Sequence, residues 1–166
     1  MGSSGRHTCA LGAVKVTECG FLGPFWRENL EIHFVNMNPE TKPRVQAKLL
    51  QMSLISPNGQ CHLWSGTTKT KKNLEYGVLN LKLAPGRWRL YYVHRLAYMA
   101  HNDNFDISAA WDCSHLCHNT LCINAQHISL EKHSTNNNRQ GCKAKGMCSG
   151  HGLGVADCRL DLILPP

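Results

Sequence analysis

Cys117, Cys122 and His127 stand at equal intervals, Cys117-x4-Cys122-x4-His127, inside the string CSHLCHNTLCINAQHISL that runs from Cys113 to Leu130. Two thiols and an imidazole at that spacing can wrap a tight loop around one tetrahedral Zn²⁺. A closed structural site needs a fourth protein ligand; Cys61 is the best free candidate and Cys113 the next. Further along, Cys142-x5-Cys148-x2-His151-x6-Cys158 offers a complete Cys₃His set. If His151 is a bystander there, His133 or another cysteine takes its place. Density supports metal over inert buried thiols: six of the nine cysteines and five of the ten histidines fall between residues 113 and 158.

The composition sets the frame for that chemistry. At 166 residues and 18.5 kDa the chain is the size of one domain. Lys and Arg number 18 against 11 Asp and Glu, a formal +7, which favours an anionic partner. With 42 % apolar and 17 % charged residues it is not a highly charged disordered tail. No run approaches the roughly 18 apolar residues of a membrane span, and the opening MGSSGRHTCALG lacks the apolar core of a secretory signal. The expectation is therefore an intracellular protein with no membrane partner, in which thiols stay reduced and bind metal. A secreted disulfide protein is the competing class, and the odd cysteine count argues against it.

The elements that must position these residues fall into three stretches. In residues 1–48, Gly20, Gly23, Pro24, Pro39 and Pro43 interrupt any pattern, apart from the alternating Glu31–Met37, which predicts a strand. Residues 49–100 are a β-rich region: QMSLIS, the turn Pro57-Asn58-Gly59 and CHLWSG predict a hairpin, and YGVLNLKL and RWRLYYV predict further strands. HRLAYMAHN has helical spacing, with Leu96, Met99 and Ala100 on one side. From Trp111 to Cys158 too few large apolar residues remain for a core, so metal is expected to staple the segments. Ser129–Gly141 is read as one polar helix entered near Ser129. The tail Arg159–Pro166 is apolar and is read as packing on its own domain or across a dimer, with the dimer slightly favoured.

The string SHLCHN, then C-x-N-x-x-H-I-x-L, then Asn136 nine residues after the histidine, resembles the His-Cys box homing endonucleases, a branch of the ββα-metal or His-Me finger nucleases related to HNH enzymes. GQCHLWSG, EYGVLNL and VHRLAYMAHN extend the similarity over roughly Gln60 to Cys158. The resemblance implies an α+β fold with antiparallel β-sheets around a ββα-metal core, loop-rich and stapled by two structural zincs. It implies His115 as general base on water and Asn136 as ligand of one catalytic Mg²⁺. Cys61, Cys117, Cys122 and His127 correspond to the first zinc site, and Cys142, Cys148, His151 and Cys158 to the second, whose spacings depart from the family. Asn137 competes with Asn136 through a one-residue register shift, and His115 could instead be a zinc ligand beside Cys117. An arginine from the sheet holds the scissile phosphate in the family; Arg87 is the candidate here, with Lys71, Lys72 and Arg95 competing.

Those residue types suit phosphodiester hydrolysis. A neutral imidazole deprotonates water near neutral pH, and a hard Mg²⁺ takes an amide oxygen where thiols would not serve. Lys69, Lys71, Lys72, Lys82, Arg87 and Arg89 are expected to line a DNA-binding ribbon, with Gln60, Thr67 and Asn73 able to read bases. The expected function is a sequence-specific, Mg²⁺-dependent DNA endonuclease acting on double-stranded DNA. By the resemblance it is a homodimer making staggered double-strand breaks in intron homing, acting in the nucleus. The alternative is a non-catalytic zinc module that binds nucleic acid.

Overall fold

The computed structural model describes residues 35–36, 39–82, 88–104 and 106–163, in which the chain forms nine short strands and three α-helices. Strand β1 (Val35–Asn36) is the described part of the expected Glu31–Met37 strand; the rest of it, with Cys9 and Cys19, lies outside the described residues. Helix α1 (Lys42–Gln51) was not foreseen and crosses the expected boundary at residue 48. Pro43 sits in its first turn, where a missing N–H costs nothing, so that proline starts a helix and does not break a pattern. Its buried residues, Val45 and Leu49, lie one turn apart.

The β-rich middle follows the predicted pattern. Strands β2 (Ser53–Ile55) and β3 (His62–Trp64) pair antiparallel across Pro57-Asn58-Gly59. Strands β4 (Thr68–Lys71), β5 (Leu74–Leu81) and β6 (Arg89–Tyr92) form an antiparallel sheet in that order. The β4–β5 turn is Lys72-Asn73, with φ of 50° and 62°, the two left-handed residues of a tight hairpin. Helix α2 (Val93–Asn102) is the predicted HRLAYMAHN helix, with Leu96, Met99 and Ala100 buried as expected. A two-residue strand β7 (Asp106–Ile107) pairs with β1.

The C-terminal third is a ββα unit: β8 (Trp111–His115), β9 (Ile128–Lys132) and α3 (His133–Lys145). The polar helix expected from Ser129 begins four residues later. Ser129–Lys132 are taken by β9, whose backbone pairs with β8 from Trp111↔Lys132 to His115↔Ile128. The antiparallel sheets and three helices make the fold α+β. Among the described residues no helix is long and apolar enough to cross a membrane.

Helix α2 is the centre of the core. It packs against Val45 and Leu49 of α1, Trp64 of β3, Leu81 and Tyr91 of the sheet, and Ile123 and Ile128 of the C-terminal third. The tail departs from the expectation that it reaches across a dimer. Leu162 is buried with Cys61, Cys117 and Cys122, and the Arg159 N–H donates to the Leu116 carbonyl at 2.7 Å, so the tail closes over its own chain.

Gly77 on β5 is fixed by Trp64: a Cβ there would lie 2.5 Å from Trp64 Cδ1 and 2.5 Å from Val93 Cγ2, both buried side chains. Gly77→Val is therefore expected to destabilise the fold by about 1–3 kcal/mol or more, as overpacking does, measured as a lower urea midpoint of the zinc-loaded chain. An unchanged midpoint would show that β5 can shift off Trp64.

Candidate active site and metal centres

Cys61 reaches the C-terminal third through backbone pairing. The Trp64 N–H donates to the Leu121 carbonyl (2.9 Å) and the Ile123 N–H to the His62 carbonyl (2.7 Å), laying β3 beside residues 121–123. This sets Cys61 with Cys117, Cys122 and His127 in one fully buried cluster, its ligand atoms all within 4.8 Å of one another. His127 Nδ1 stands 3.6 Å from both Cys61 Sγ and Cys122 Sγ. Tetrahedral Zn²⁺ with ordinary Zn–S and Zn–N bonds separates such atoms by about 3.6 Å.

As bare thiols these groups are at odds. The hydrogen bond from Cys122 draws Cys117 down to about 7 despite burial. Burial and the neighbouring Cys117 push Cys61 up to about 11, and donating to Cys117, together with burial, pushes Cys122 up. A divalent cation resolves that competition by stabilising every thiolate at once. Cys113, the runner-up fourth ligand, belongs to the apolar core instead, where burial raises its thiol to about 12.

The second cluster is Cys142, Cys148, His151 and Cys158. His151 Nε2 lies 3.6 Å from Cys142 Sγ and 3.3 Å from each of Cys148 and Cys158 Sγ, so the structure brings His151 together with all three cysteines. Cys142 comes from the last turns of α3, which ends at Gly146 in the left-handed region (φ 65°) that glycine adopts freely. Arg139, only 1 % exposed, binds this cluster to the ββα unit. It donates twice to Glu131 (2.8 and 2.7 Å), once to the Ala156 carbonyl (2.8 Å), and once to Cys158 Sγ (3.5 Å). The two clusters fit two zinc sites in donor type and spacing.

His115 belongs to neither cluster. Its Nε2 stands 3.1 Å from the Cys122 carbonyl, which can only accept, so Nε2 carries the proton and Nδ1 keeps the lone pair. Burial holds the imidazole well below its ordinary range, at about 4, although the Cys122 carbonyl works the other way. The ring is thus neutral at pH 7. It packs on His94 of α2, ring centroids 4.7 Å apart. His115 and Asn136 line one cavity, with Leu74 and Tyr76 of β5 and Gln140 of α3.

That cavity adjoins a second, of about 350 Å³, which shares Asn136 and adds Lys71, Lys72, Arg95, Asp112 and His133. Asp112 Oδ2 accepts from Asn136 Nδ2 (2.9 Å) and from His133 Nδ1 (2.7 Å). Burial alone would raise the Asp112 carboxyl, but those hydrogen bonds and the charges of His133 and Arg95 hold it below its usual value. His133, considered above as a stand-in zinc ligand, is engaged here. Of these two cavities Asn137 lines just the second, whereas Asn136 lines both.

The basic residues divide. Lys69 pairs with Tyr76 and Lys71 with Leu74 across the β4–β5 ribbon, so both lysines share the face that carries Leu74 and Tyr76 into the cavity. Lys72, Lys82 and Arg89 are exposed, Lys72 in the turn beside Lys71. Arg95 is 2 % exposed and donates to the Trp111 and Ser108 carbonyls, holding β8 in place. Arg87 lies outside the described residues. Gln60 accepts from Arg159, the Thr67 carbonyl accepts from Trp64, and Asn73 sits in the ribbon turn. Asp112, Glu131 and Arg139 went unmarked in the sequence, because no local spacing links them to their partners.

A family model described as the zinc-binding loop region of homing endonuclease matches residues 60–161, more than half of the chain. No curated protein and no solved structure matches it.

Zinc analysis of the purified full chain is expected to find two ions, one for each cluster. Cys122→Ser should reduce this to one and remove hydrogen-exchange protection from β8 and β9, whereas Cys113→Ala should keep both ions. Equal zinc content in the two variants would mean that Cys122 is no ligand.

Proposed function

The chain belongs to the family that carries the zinc-binding loop region of homing endonucleases, and on that premise we propose that it is a sequence-specific endonuclease of double-stranded DNA. It hydrolyses phosphodiester bonds with His115 as general base and one Mg²⁺ held by Asn136. The observation that carries this reading is the 3.1 Å contact of His115 Nε2 with the Cys122 carbonyl, an acceptor that calls for the Nε2–H tautomer, in a cavity that Asn136 also lines. Its lone pair at Nδ1 is what removal of a proton from water requires, and its depressed basicity keeps that lone pair available at neutral pH.

The donor set fits a hard cation. Asn136 commits its Nδ2 to Asp112, which leaves Oδ1 as the atom it offers, and amide oxygen is a Mg²⁺ ligand. When bound, Mg²⁺ would supply charge stabilisation to the scissile phosphate and the leaving 3′-oxygen. Cys122 serves twice in this scheme, as zinc ligand through Sγ and as acceptor for His115 through its carbonyl, so the metal-bound loop holds the base in orientation.

For the phosphate clamp, a specific observation favours Lys71 among the basic candidates: it lines the cavity with Asn136 and Asp112, and burial, then the nearby Lys72, lower its pKa. Lys69, Lys72, Lys82 and Arg89 extend the positive face along the sheet, with Arg87 assigned to it by sequence alone. The same proposal includes a homodimer, since one base and one Mg²⁺ cleave one strand and two-fold symmetry yields a double-strand break. Staggered ends with a 3′ overhang, intron homing and action in the nucleus belong to this family reading.

Cleavage of a randomised duplex library with and without Mg²⁺ tests the class, and a sequence-specific, Mg²⁺-dependent product is expected. His115→Ala should lower the cleavage rate by about 10²–10⁴-fold with duplex affinity and zinc content unchanged. Loss of affinity in step with cleavage would favour the non-catalytic zinc module. Lys71→Ala should weaken binding to all sequences and reduce the log–log salt slope by about 1.

A further inference from the structure

In the scheme above Asp112 only accepts from Asn136, yet it stands at the centre of the cavity. It is the second residue of β8, three before His115, and its side chain turns into the cavity shared with Asn136 and Lys71. One oxygen, Oδ2, accepts both hydrogen bonds, from Asn136 Nδ2 at 2.9 Å and His133 Nδ1 at 2.7 Å. His133 and Asn136 sit three apart in the first turn of α3, on adjacent positions of one helix face. A single carboxylate thus ties the start of α3 to β8.

The chemistry of this contact is one-sided. A carboxamide has a donor end and an acceptor end that differ little in shape, so packing alone cannot choose which end faces a ligand. An ionised carboxylate only accepts. Beside Asp112, the stable orientation of Asn136 is the one with Nδ2 on the carboxylate and Oδ1 turned away from it. The donation from His133, whose side chain is largely exposed, holds Asp112 in the rotamer that does this.

We propose that Asp112 is a positioning residue that fixes the carboxamide of Asn136 with Oδ1 toward the divalent cation, and that His133 buttresses it. This rests on the reading of Asn136 as the Mg²⁺ ligand. Outer partners of this kind alter metal affinity when they are lost, commonly by about 10–100-fold.

Asp112→Asn tests the idea because it keeps the shape and removes the one-sidedness: an amide at 112 accepts or donates, so Asn136 can present either end. The experiment uses the full zinc-loaded chain and has two readouts. The first is the ¹H–¹⁵N side-chain amide signal pair of Asn136 in metal-free-cavity protein, identified by its absence in Asn136→Ala. The second is the Mg²⁺ concentration giving half-maximal cleavage. Asp112→Asn is expected to shift the Asn136 amide pair and to raise the half-maximal Mg²⁺ concentration by about 10–100-fold, with the maximal rate largely restored at high Mg²⁺ and both zincs retained. His133→Ala, at an exposed position that leaves folding intact, should move both readouts in the same direction by less. An Asn136 amide pair unmoved in Asp112→Asn, or in His133→Ala if the former cannot be isolated, overturns the proposal. A failure of the underlying reading looks different: Asn136→Ala would then leave the Mg²⁺ dependence unchanged whatever Asp112 does.

Discussion

Everything in the C-terminal half depends on the convergence of Cys61, Cys117, Cys122 and His127. Three of these lie on one loop; the fourth arrives from the β-rich half, carried by the pairing of β3 with residues 121–123. A tetrahedral centre tolerates little error in ligand position, so a Zn²⁺ held there would lock the two segments into one junction. The loop it holds begins at the end of β8 and returns at the start of β9, which makes the Cys₃His geometry a condition for the sheet register between His115 and Ile128.

Consequences spread from that junction in two directions. Toward the cavity, the Cys122 carbonyl faces Nε2 of His115, so the residue that joins the cluster also orients the imidazole proposed as the base. Toward the C-terminus, the buried Arg139 joins Glu131 of β9 to the second cluster through Cys158. Removing one partner from such a pair leaves a buried charge uncompensated, which is why a helix of poor intrinsic propensity, HSTNNNRQGCKAK, is still held in a fixed place. Around the ββα unit, two clusters that fit zinc and one buried ion pair stand where a larger protein would use apolar core.

The β-rich half contributes conventional packing. Helix α2 buries most of its residues, and its Arg95 reaches across to the Trp111 carbonyl at the start of β8 and to the Ser108 carbonyl just before it. The β4–β5 ribbon places Lys69 and Lys71 on the face of Leu74 and Tyr76, so charge and cavity share one side of the molecule through strand alternation alone. The surprise was α1. Proline and mixed composition concealed it in the sequence, and only its packing of Val45 and Leu49 on α2 shows why it forms.

Residue type and local spacing were enough to mark seven of the eight residues that form the two Cys/His clusters, the hairpin across Pro57–Gly59, and the helix that became α2, because each is a short-range property of the chain, whereas His115 and Asn136 were singled out by resemblance to a family. The choice of Cys61 over Cys113, the start of α3 at His133, the inward fold of Leu162 and the pairing of Asp112 with Asn136 were not legible there. Each depends on a contact between segments far apart in sequence: Asp112 and Asn136 are 24 residues apart, and Cys61 and His127 are 66 apart. Ligand chemistry is written in the residues themselves. Which atom faces which neighbour is settled only when backbone pairing and burial bring those segments together.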